Sequence, residues 1–274
     1  MITDVHHIGI AVRDLDQALA FYRDTLSLPC VKEGDMPARG VRIAMLAAGR
    51  SYLEIIQSVE DSSPFANYIA ERGEGLHHMA LWSTDVTADV TRLRASGVPL
   101  QDPRPREGFT GHLSYLAAKA FDGAQLEIVE PEPSLSGDTP TADSHITRID
   151  HVVLRVPSVA DASRRLDEWL GVPTKRTMER GAQAFAFMRP GDVVIEVIGP
   201  KDGGEPGSGH IAGLAFEVND IDALTEQVKG QGYPIGEPHP ALQGGRIVSV
   251  HPSGACGVPV AFIDFTGSAG PRKN

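Results

Sequence analysis

The sequence opens with the stretch Val5-His-His-Ile-Gly-Ile-Ala-Val12, and a similar stretch, Ile149-Asp-His-Val-Val-Leu-Arg-Val156, returns 144 residues later. Both alternate in the manner of a β-strand, and both have a histidine at the third position. An amphipathic helical pattern follows each stretch and ends near a proline, Pro29 in the first case and Pro173 in the second. The repeated order of these features indicates an internal duplication.

A second pair of similar segments supports the duplication. Residues Asp85–Leu100 match Asp220–Ile235, and each predicts a helix that ends at a glycine, Gly97 or Gly232. Between the repeats, residues 131–147 are rich in Pro, Ser, Thr, Gly and Asp, which is typical of a linker. We predict one module at 1–131, a linker at 132–146, a second module at 147–267 and a tail at 268–274.

Each module itself divides into two similar halves. In the first half of module one, the strand that carries His7 is followed by a helix and by strands near 40–46 and 52–57. In the second half, the strand that carries His78 is followed by a helix and by strands near 113–117 and 125–129. The pattern predicts an α+β fold with four βαβββ units, two in each module.

Four polar residues of module one occupy matching places in its two halves. His7 and His78 lie in the opening strands, while Glu54 and Glu127 lie in the closing strands. Any one of them alone would more simply be a packed or solvent-facing residue, but the symmetry of all four favours a shared centre. Two neutral imidazoles and two carboxylates neutralise a divalent cation, and this mixture of N and O ligands suits Zn, Mn, Fe, Co or Ni better than Ca. We therefore predict one divalent metal ion.

The repeat also selects between neighbouring histidines. Module two has Asp150-His151 where module one has His6-His7, so the alignment assigns the metal to His7. By analogy it assigns His78 rather than His77. We expect His6 and His77 to point to the other face of the sheet, where they would pack or support the ligands rather than bind the metal.

Module two lacks half of this set. His151 and Glu196 match His7 and Glu54, but Gly213 and Ala261 stand at the positions of His78 and Glu127. Two ligands hold a metal poorly. We therefore predict that module two is a degenerate copy, which serves as a structural partner or as a pocket wall.

The composition restricts the class of partner. The chain of 274 residues has a net charge of −11, which argues against nucleic-acid binding because that requires a basic surface. No apolar run is long enough to span a membrane, and Cys30 and Cys256 are too few for a disulfide framework. We expect a cytoplasmic monomer or homodimer that acts on a small molecule, without a nucleic-acid or membrane partner.

Several of these segments resemble one known family. The strand that begins at His7, the Leu53-Glu54 strand, residues Gly73–Leu81 and residues Leu126–Glu130 are similar to the vicinal oxygen chelate (glyoxalase/bleomycin resistance/dioxygenase) superfamily. Module one most resembles methylmalonyl-CoA epimerases. The resemblance implies tandem modules, each a curled mixed sheet of two βαβββ units around a metal. The implied metal ligands are His7, Glu54, His78 and Glu127.

The resemblance leaves three classes of function open. We favour a metal-dependent isomerase, epimerase or lyase that acts through a metal-bound enolate of a small oxygenated substrate, with Glu127 as the base. Residues 40–49 contain no carboxylate where some epimerases have a second one, so two-base inversion is doubtful. The alternatives are an extradiol-type ring-cleaving dioxygenase and a small-molecule binding or sequestering protein.

The sequence leaves the substrate contacts undecided. We favour a solvent-facing side chain for Arg42 over an anion clamp. Four side chains near the fourth ligand could contact a substrate or face solvent: Tyr115, His112, Lys119 and Arg106.

Overall fold

The computed structural model describes residues 1–137, 144–241 and 244–266. Part of the predicted linker, and the predicted tail, lie outside the described residues, so the module boundaries remain predictions. The first half of the chain contains β1 (Ile2–Val12), α1 (Leu15–Leu19), β2 (Cys30–Met36), β3 (Val41–Ala48), β4 (Ser51–Ser58), α2 (Pro64–Arg72), β5 (Gly75–Ser83), α3 (Val86–Ala95), β6 (Arg106–Glu107), β7 (Gly111–Tyr115) and β8 (Gln125–Pro131). The second half contains β9 (Ile146–Arg155), α4 (Val159–Leu170), β10 (Thr174–Arg180), β11 (Gln183–Met188), β12 (Val194–Pro200), β13 (His210–Val218), α5 (Ile221–Gly230), β14 (His239–Pro240), β15 (Arg246–Val250) and β16 (Val260–Asp264).

The strands form two eight-stranded mixed sheets with the same topology. Their orders are β2-β3-β4-β1-β5-β8-β7-β6 and β10-β11-β12-β9-β13-β16-β15-β14. In each sheet the two opening strands are central antiparallel neighbours, and each opening strand runs parallel to the closing strand of its own half. This arrangement confirms the predicted α+β fold of tandem modules, each a curled sheet of two βαβββ units.

The central strand pairs carry β-bulges, in which one strand has an extra residue opposite its partner. In the β1–β5 pair the extra residues include His6 and His77. In the β9–β13 pair they include Asp150 and Ala212, which are the equivalents of His6 and His77 in the repeat. The two sheets therefore share these irregularities of the backbone together with the strand order.

The helices begin at capping residues that the local sequence supplies. The side chains of Asp14, Asp85, Ser158 and Asp220 each accept a hydrogen bond from the backbone N–H three residues later. Helix α1 continues as a π-helical turn over Ala20–Thr25. No helix in the described part of the chain is both long and apolar enough to cross a membrane.

The two modules share one hydrophobic core. Apolar residues from both sheets and from the helices join a single buried cluster. Hydrogen bonds also cross this junction; among them, the Tyr22 hydroxyl donates to the carbonyl of Ala255 at 3.0 Å, and Gln227 Nε2 donates to the carbonyl of Thr25 at 2.6 Å. Because the shared cluster is buried and apolar, we expect the modules to unfold together.

The concave face of the first sheet is covered. Leu135, in the residues that follow β8, is buried against the side chains of Val41, Ile43, Met45 and other apolar residues of that face. Phe65 of α2 and Phe109 of the β6–β7 connection pack on the same cluster. These side chains therefore cover part of this face of the sheet.

Candidate metal centre

Four strands bring the predicted ligands to one point inside module one. His7 lies on β1, Glu54 on β4, His78 on β5 and Glu127 on β8, so each half-module supplies one imidazole and one carboxylate. The Nε2 atoms of the two histidines are 3.2 Å apart. Glu54 Oε2 is 3.5 Å from His7 Nε2 and 3.3 Å from His78 Nε2.

Glu127 lies beside the same two imidazoles, slightly farther away than Glu54. Its Oε1 atom is 3.8 Å from His7 Nε2, and its Oε2 atom is 3.8 Å from His78 Nε2. The ligand atoms of His7, Glu54 and His78 all lie within 4.8 Å of one another, the spacing expected around one ion. The structure therefore brings all four predicted residues together.

Burial makes this cluster costly without a cation. Both imidazoles are fully buried, and Glu127 is only 1% exposed. Glu127 Oε1 is also a buried oxygen that lacks a hydrogen-bond partner. Burial raises the pKa of Glu127 to about 7, with Glu54 raising it further and the charge of His78 opposing the shift.

The donor chemistry fits a divalent ion. Four buried nitrogen and oxygen ligands converge, and a charge of +2 would balance the two carboxylates. Burial, with His6 and His78 adding to the effect, holds the pKa of His7 well below its usual value, so this imidazole is neutral as a ligand must be. His7, Glu54, His78 and Glu127 could hold one such ion.

The raised pKa of Glu127 leads to a prediction for the metal-free protein. In the unfolded chain this carboxyl group ionises near pH 4.5, whereas in the folded protein it keeps its proton up to about pH 7. The stability that it contributes is present at low pH and is lost as the pH rises through this window. Between pH 5 and pH 7.5, the free energy of unfolding of the wild type should fall by on the order of 2 kcal/mol relative to that of Glu127→Gln. Urea denaturation with a chelator at pH 5 and pH 7.5 tests this, and a pH-independent difference would contradict it.

The neighbouring histidines contact the candidate ligands directly. His6 Nδ1 lies 2.7 Å from His7 Nδ1, and His77 Nδ1 lies 3.0 Å from His78 Nδ1. The prediction that His6 and His77 point away from the site was wrong, because the bulges interrupt strand alternation at both residues. Sequence periodicity carries no signal for such a bulge.

These contacts determine which imidazole nitrogen faces the centre. Burial lowers the pKa of His6 to about 4, so it is neutral, and its Nε2 lies 2.9 Å from the carbonyl of Leu135. Because the carbonyl can only accept, Nε2 of His6 carries the proton and Nδ1 of His6 must accept. His7 therefore donates through Nδ1 and keeps the lone pair of Nε2 for a cation.

His6→Phe should weaken metal binding. Phenylalanine keeps the ring volume beside Tyr52 and Trp82 but removes the acceptor for His7. We expect metal affinity to fall by about 10- to 100-fold, as measured by competition with a chromogenic chelator. Asp150→Asn, at the equivalent position in module two, is the matched control. Equal affinities for His6→Phe and the wild type would show that this contact does not orient His7.

A cavity of about 190 Å³ lies beside the four residues. Tyr115 and Arg106, two of the four uncertain substrate contacts, line this cavity, and Arg106 lies over the Tyr115 ring. The other two do not line it: His112 pairs with Glu107 at 2.8 Å, and Lys119 is exposed. Apart from Glu54, Glu127, Tyr115 and Arg106, the lining includes apolar side chains and a few polar ones: Met36, Val41, Ile43, Ile56, Phe65, Phe109, Leu113, Arg39, His77, Gln101 and Gln125.

Strand β3 contributes no carboxylate to this cavity. Met45 is the residue directly opposite Glu54 in the β3–β4 register, and it is fully buried. Arg42 points outward to Glu33 at 3.4 Å and Asp35 at 3.8 Å, as the sequence favoured. The acids that line the cavity within the described residues are therefore Glu54 and Glu127.

The strand register of module two locates the counterparts of the four residues. His151 and Glu196 occupy the positions of His7 and Glu54, with His151 Nε2 3.9 Å from Glu196 Oε2. Gly213 occupies the position of His78, and Ala261 that of Glu127. The structure thus gives module two half of the ligand set.

At one pair of facing positions, the glycine lies on opposite strands in the two modules. In module one, Gly9 lies beneath the imidazole of His78, and any β-carbon at position 9 would overlap that ring. In module two, Val153 stands at the position of Gly9, and Gly213 stands opposite it without a side chain. A side chain at position 213 would therefore meet Val153, because a β-carbon there would lie 3.4 Å from Val153 Cγ2.

Comparison with known proteins agrees with this architecture. A family model described as the Glyoxalase/Bleomycin resistance protein/Dioxygenase superfamily matches residues 6–116 and 150–249. An ethylmalonyl-CoA/methylmalonyl-CoA epimerase from Cereibacter sphaeroides is 30% identical over 131 residues, which cover 47% of this chain and 98% of that protein. A lactoylglutathione lyase (GLX1) from Arabidopsis thaliana is 25% identical over 275 residues, which cover 94% of this chain and 92% of that protein.

One solved structure has the same fold over nearly the whole chain. A mutant of 4-hydroxymandelate synthase from Streptomyces coelicolor superposes with a TM-score of 0.71 at 18% identity, covering 98% of this chain and 94% of that one. The family match spans both sheets and more than half of the sequence. These findings confirm the resemblance seen in the strand motifs: the chain belongs to the glyoxalase/bleomycin resistance protein/dioxygenase superfamily.

Proposed function

We propose that the chain is a divalent-metal-dependent isomerase, epimerase or lyase that moves a proton at the carbon next to a carbonyl group. The observation that carries this proposal is the buried pair of imidazoles, each of which has two carboxylates within 4.0 Å. A divalent ion held by His7, Glu54, His78 and Glu127 would act as a Lewis acid and make the neighbouring C–H bond more acidic.

Glu127 is the proposed base. A buried carboxylate that borders both the candidate ion and the cavity could remove a proton from a bound substrate and return it. Tyr115 pairs with Glu127 in the β7–β8 register, and its hydroxyl favours the ionised form of the carboxyl group. Burial raises the pKa of Tyr115 well above its usual value, so Tyr115 stays protonated and serves as a hydrogen-bond donor.

The covered cavity favours a small substrate with an apolar part. Apolar side chains from β3, α2 and the β6–β7 connection line the cavity together with the two carboxylates. Because Met45 stands opposite Glu54, β3 offers no second base. This arrangement supports proton transfer by Glu127 alone over inversion by two separate bases.

The names of the relatives suggest a substrate class. Ethylmalonyl-CoA, methylmalonyl-CoA and lactoylglutathione are all thioesters, so we propose that the substrate carries or forms a thioester. The dioxygenase alternative fits the ligand set less well. Non-haem iron oxygenases of the two-histidine, one-carboxylate type leave more positions open, whereas this centre has a second carboxylate.

Metal analysis combined with isotope exchange tests the proposal. The purified protein should contain about one divalent ion per chain, and His7→Ala should lose it while the equivalent change in module two, His151→Ala, should not. In D₂O, NMR should show exchange of the proton on the α-carbon of methylmalonyl-CoA or of the hemithioacetal of methylglyoxal and glutathione. A metal content below about half an equivalent would favour a binding protein, and ring cleavage of a catechol with Fe(II) and O₂ would favour a dioxygenase.

A further inference from the structure

Module two contains a cavity larger than the one beside the metal centre. Its volume is about 750 Å³, within the range of small-molecule sites, whereas the cavity in module one measures about 190 Å³. His151 lines it, with Ser249 and His251 as further polar side chains. The rest of the wall is aliphatic, proline or glycine: Val153, Ala212, Gly213, Leu214, Ala215, Pro234, Ile235, Gly236, Val250, Pro252, Pro259, Val260 and Ala261.

The cavity occupies the space from which the metal-site side chains are missing. Gly213 and Ala261 stand at the positions of His78 and Glu127. Ser249 pairs with Ala261 across β15 and β16, as Tyr115 pairs with Glu127 across β7 and β8. All three replacements are large-to-small and line the cavity. The same changes that removed the metal ligands therefore opened room for a different molecule.

One buried polar pair remains at the edge of this space. Asp150 Oδ2 lies 2.8 Å from His151 Nδ1, so the carboxylate accepts the Nδ1 proton and fixes the tautomer of His151. Nε2 is the ring nitrogen that Asp150 leaves for a ligand, and it can accept a hydrogen bond. The carboxylate of Glu196, 3.9 Å from Nε2, is a second acceptor beyond hydrogen-bond distance.

This chemistry defines the kind of ligand. His151 Nε2 at the cavity wall attracts a hydrogen-bond donor, and the carboxylate of Glu196 behind it repels an anion, while the aliphatic walls favour an apolar body. We propose that the cavity of module two binds an uncharged apolar molecule that carries a hydroxyl group, such as a small phenol, through His151 Nε2. This site is separate from the metal centre and does not depend on the function proposed for it.

Calorimetry of the full-length protein with three probes of similar shape tests the proposal. We expect 4-ethylphenol to bind with one site per chain and at least about 10-fold more tightly than ethylbenzene or 4-ethylbenzoate. Ala261→Leu and Ser249→Tyr refill the cavity and should each reduce 4-ethylphenol binding by at least 10-fold. His151→Phe keeps the ring but should abolish the preference for 4-ethylphenol over ethylbenzene.

The control separates the two modules. Glu127→Gln changes the metal centre and should leave 4-ethylphenol binding unchanged. Thermal unfolding shows whether each variant is folded. If either Ala261→Leu or Ser249→Tyr proves unstable, the other still tests whether filling the cavity prevents binding. The proposal is overturned if 4-ethylphenol fails to bind at millimolar concentration, if 4-ethylbenzoate binds more tightly, or if Glu127→Gln rather than Ala261→Leu abolishes binding.

Discussion

Glu127→Gln should lower kcat by about 10²- to 10⁴-fold, the range that a positioned general base contributes. Glutamine keeps the shape of the side chain and one oxygen that could face a cation, but it cannot take up a proton. Because Glu127 is buried with an unpartnered Oε1, the metal-free variant should fold at least as well as the wild type. Glu127→Ala removes the oxygen as well and should abolish turnover.

Steady-state kinetics and metal content should be measured on the same samples. Glu130→Gln is a suitable control, because Glu130 lies on the same strand but is exposed and accepts a hydrogen bond from the backbone of Val86. A low kcat with about one metal per chain for Glu127→Gln would separate proton transfer from metal binding. Full activity of Glu127→Ala would exclude Glu127 as the base.

The four residues that lie together in module one could be predicted from the sequence because its two halves repeat the same order of strands and helix. Equivalent strands of two similar halves place equivalent residues on the same face, so the matched positions of His7 and His78, and of Glu54 and Glu127, predicted convergence. The sheet order confirms the reason: the two opening strands are neighbours at the centre of the sheet, and each closing strand lies beside its own opening strand.

Other features depend on contacts that no local pattern encodes. The bulges at His6 and His77 arise from the pairing of β1 with β5, strands that are about 70 residues apart in the sequence. Leu135 lies in the region predicted to be only a linker, yet it is buried and its carbonyl contacts His6. The large cavity beside His151 is lined by three small residues, Gly213, Ala261 and Ser249. Only the strand register shows that these three positions are neighbours.

Gly9→Val is the second change with a large expected effect. Valine suits a β-strand, and position 9 has an ordinary strand backbone, so the cost comes from its side chain. A β-carbon at position 9 would overlap the imidazole of His78, which is fully buried, so the ring would have to leave its present position. We expect Gly9→Val to lower the free energy of unfolding by about 1–3 kcal/mol and to displace His78 from the centre.

Module two shows which second change should relieve this clash. It carries Val153 where module one has Gly9 and Gly213 where module one has His78. Adding His78→Gly to Gly9→Val should therefore recover part of the lost stability, and the two changes should couple by about 0.5–3 kcal/mol. Metal binding should be lost in the double variant, because one proposed ligand has been removed.

Urea denaturation of the wild type, both single variants and the double variant measures the coupling. As a control, Val153→Gly measures the same valine–glycine exchange in module two, where Gly213 and not a histidine stands opposite. Additive effects would mean that His78 avoids the new side chain by another route, and metal binding retained by Gly9→Val would remove His78 from the proposed ligand set.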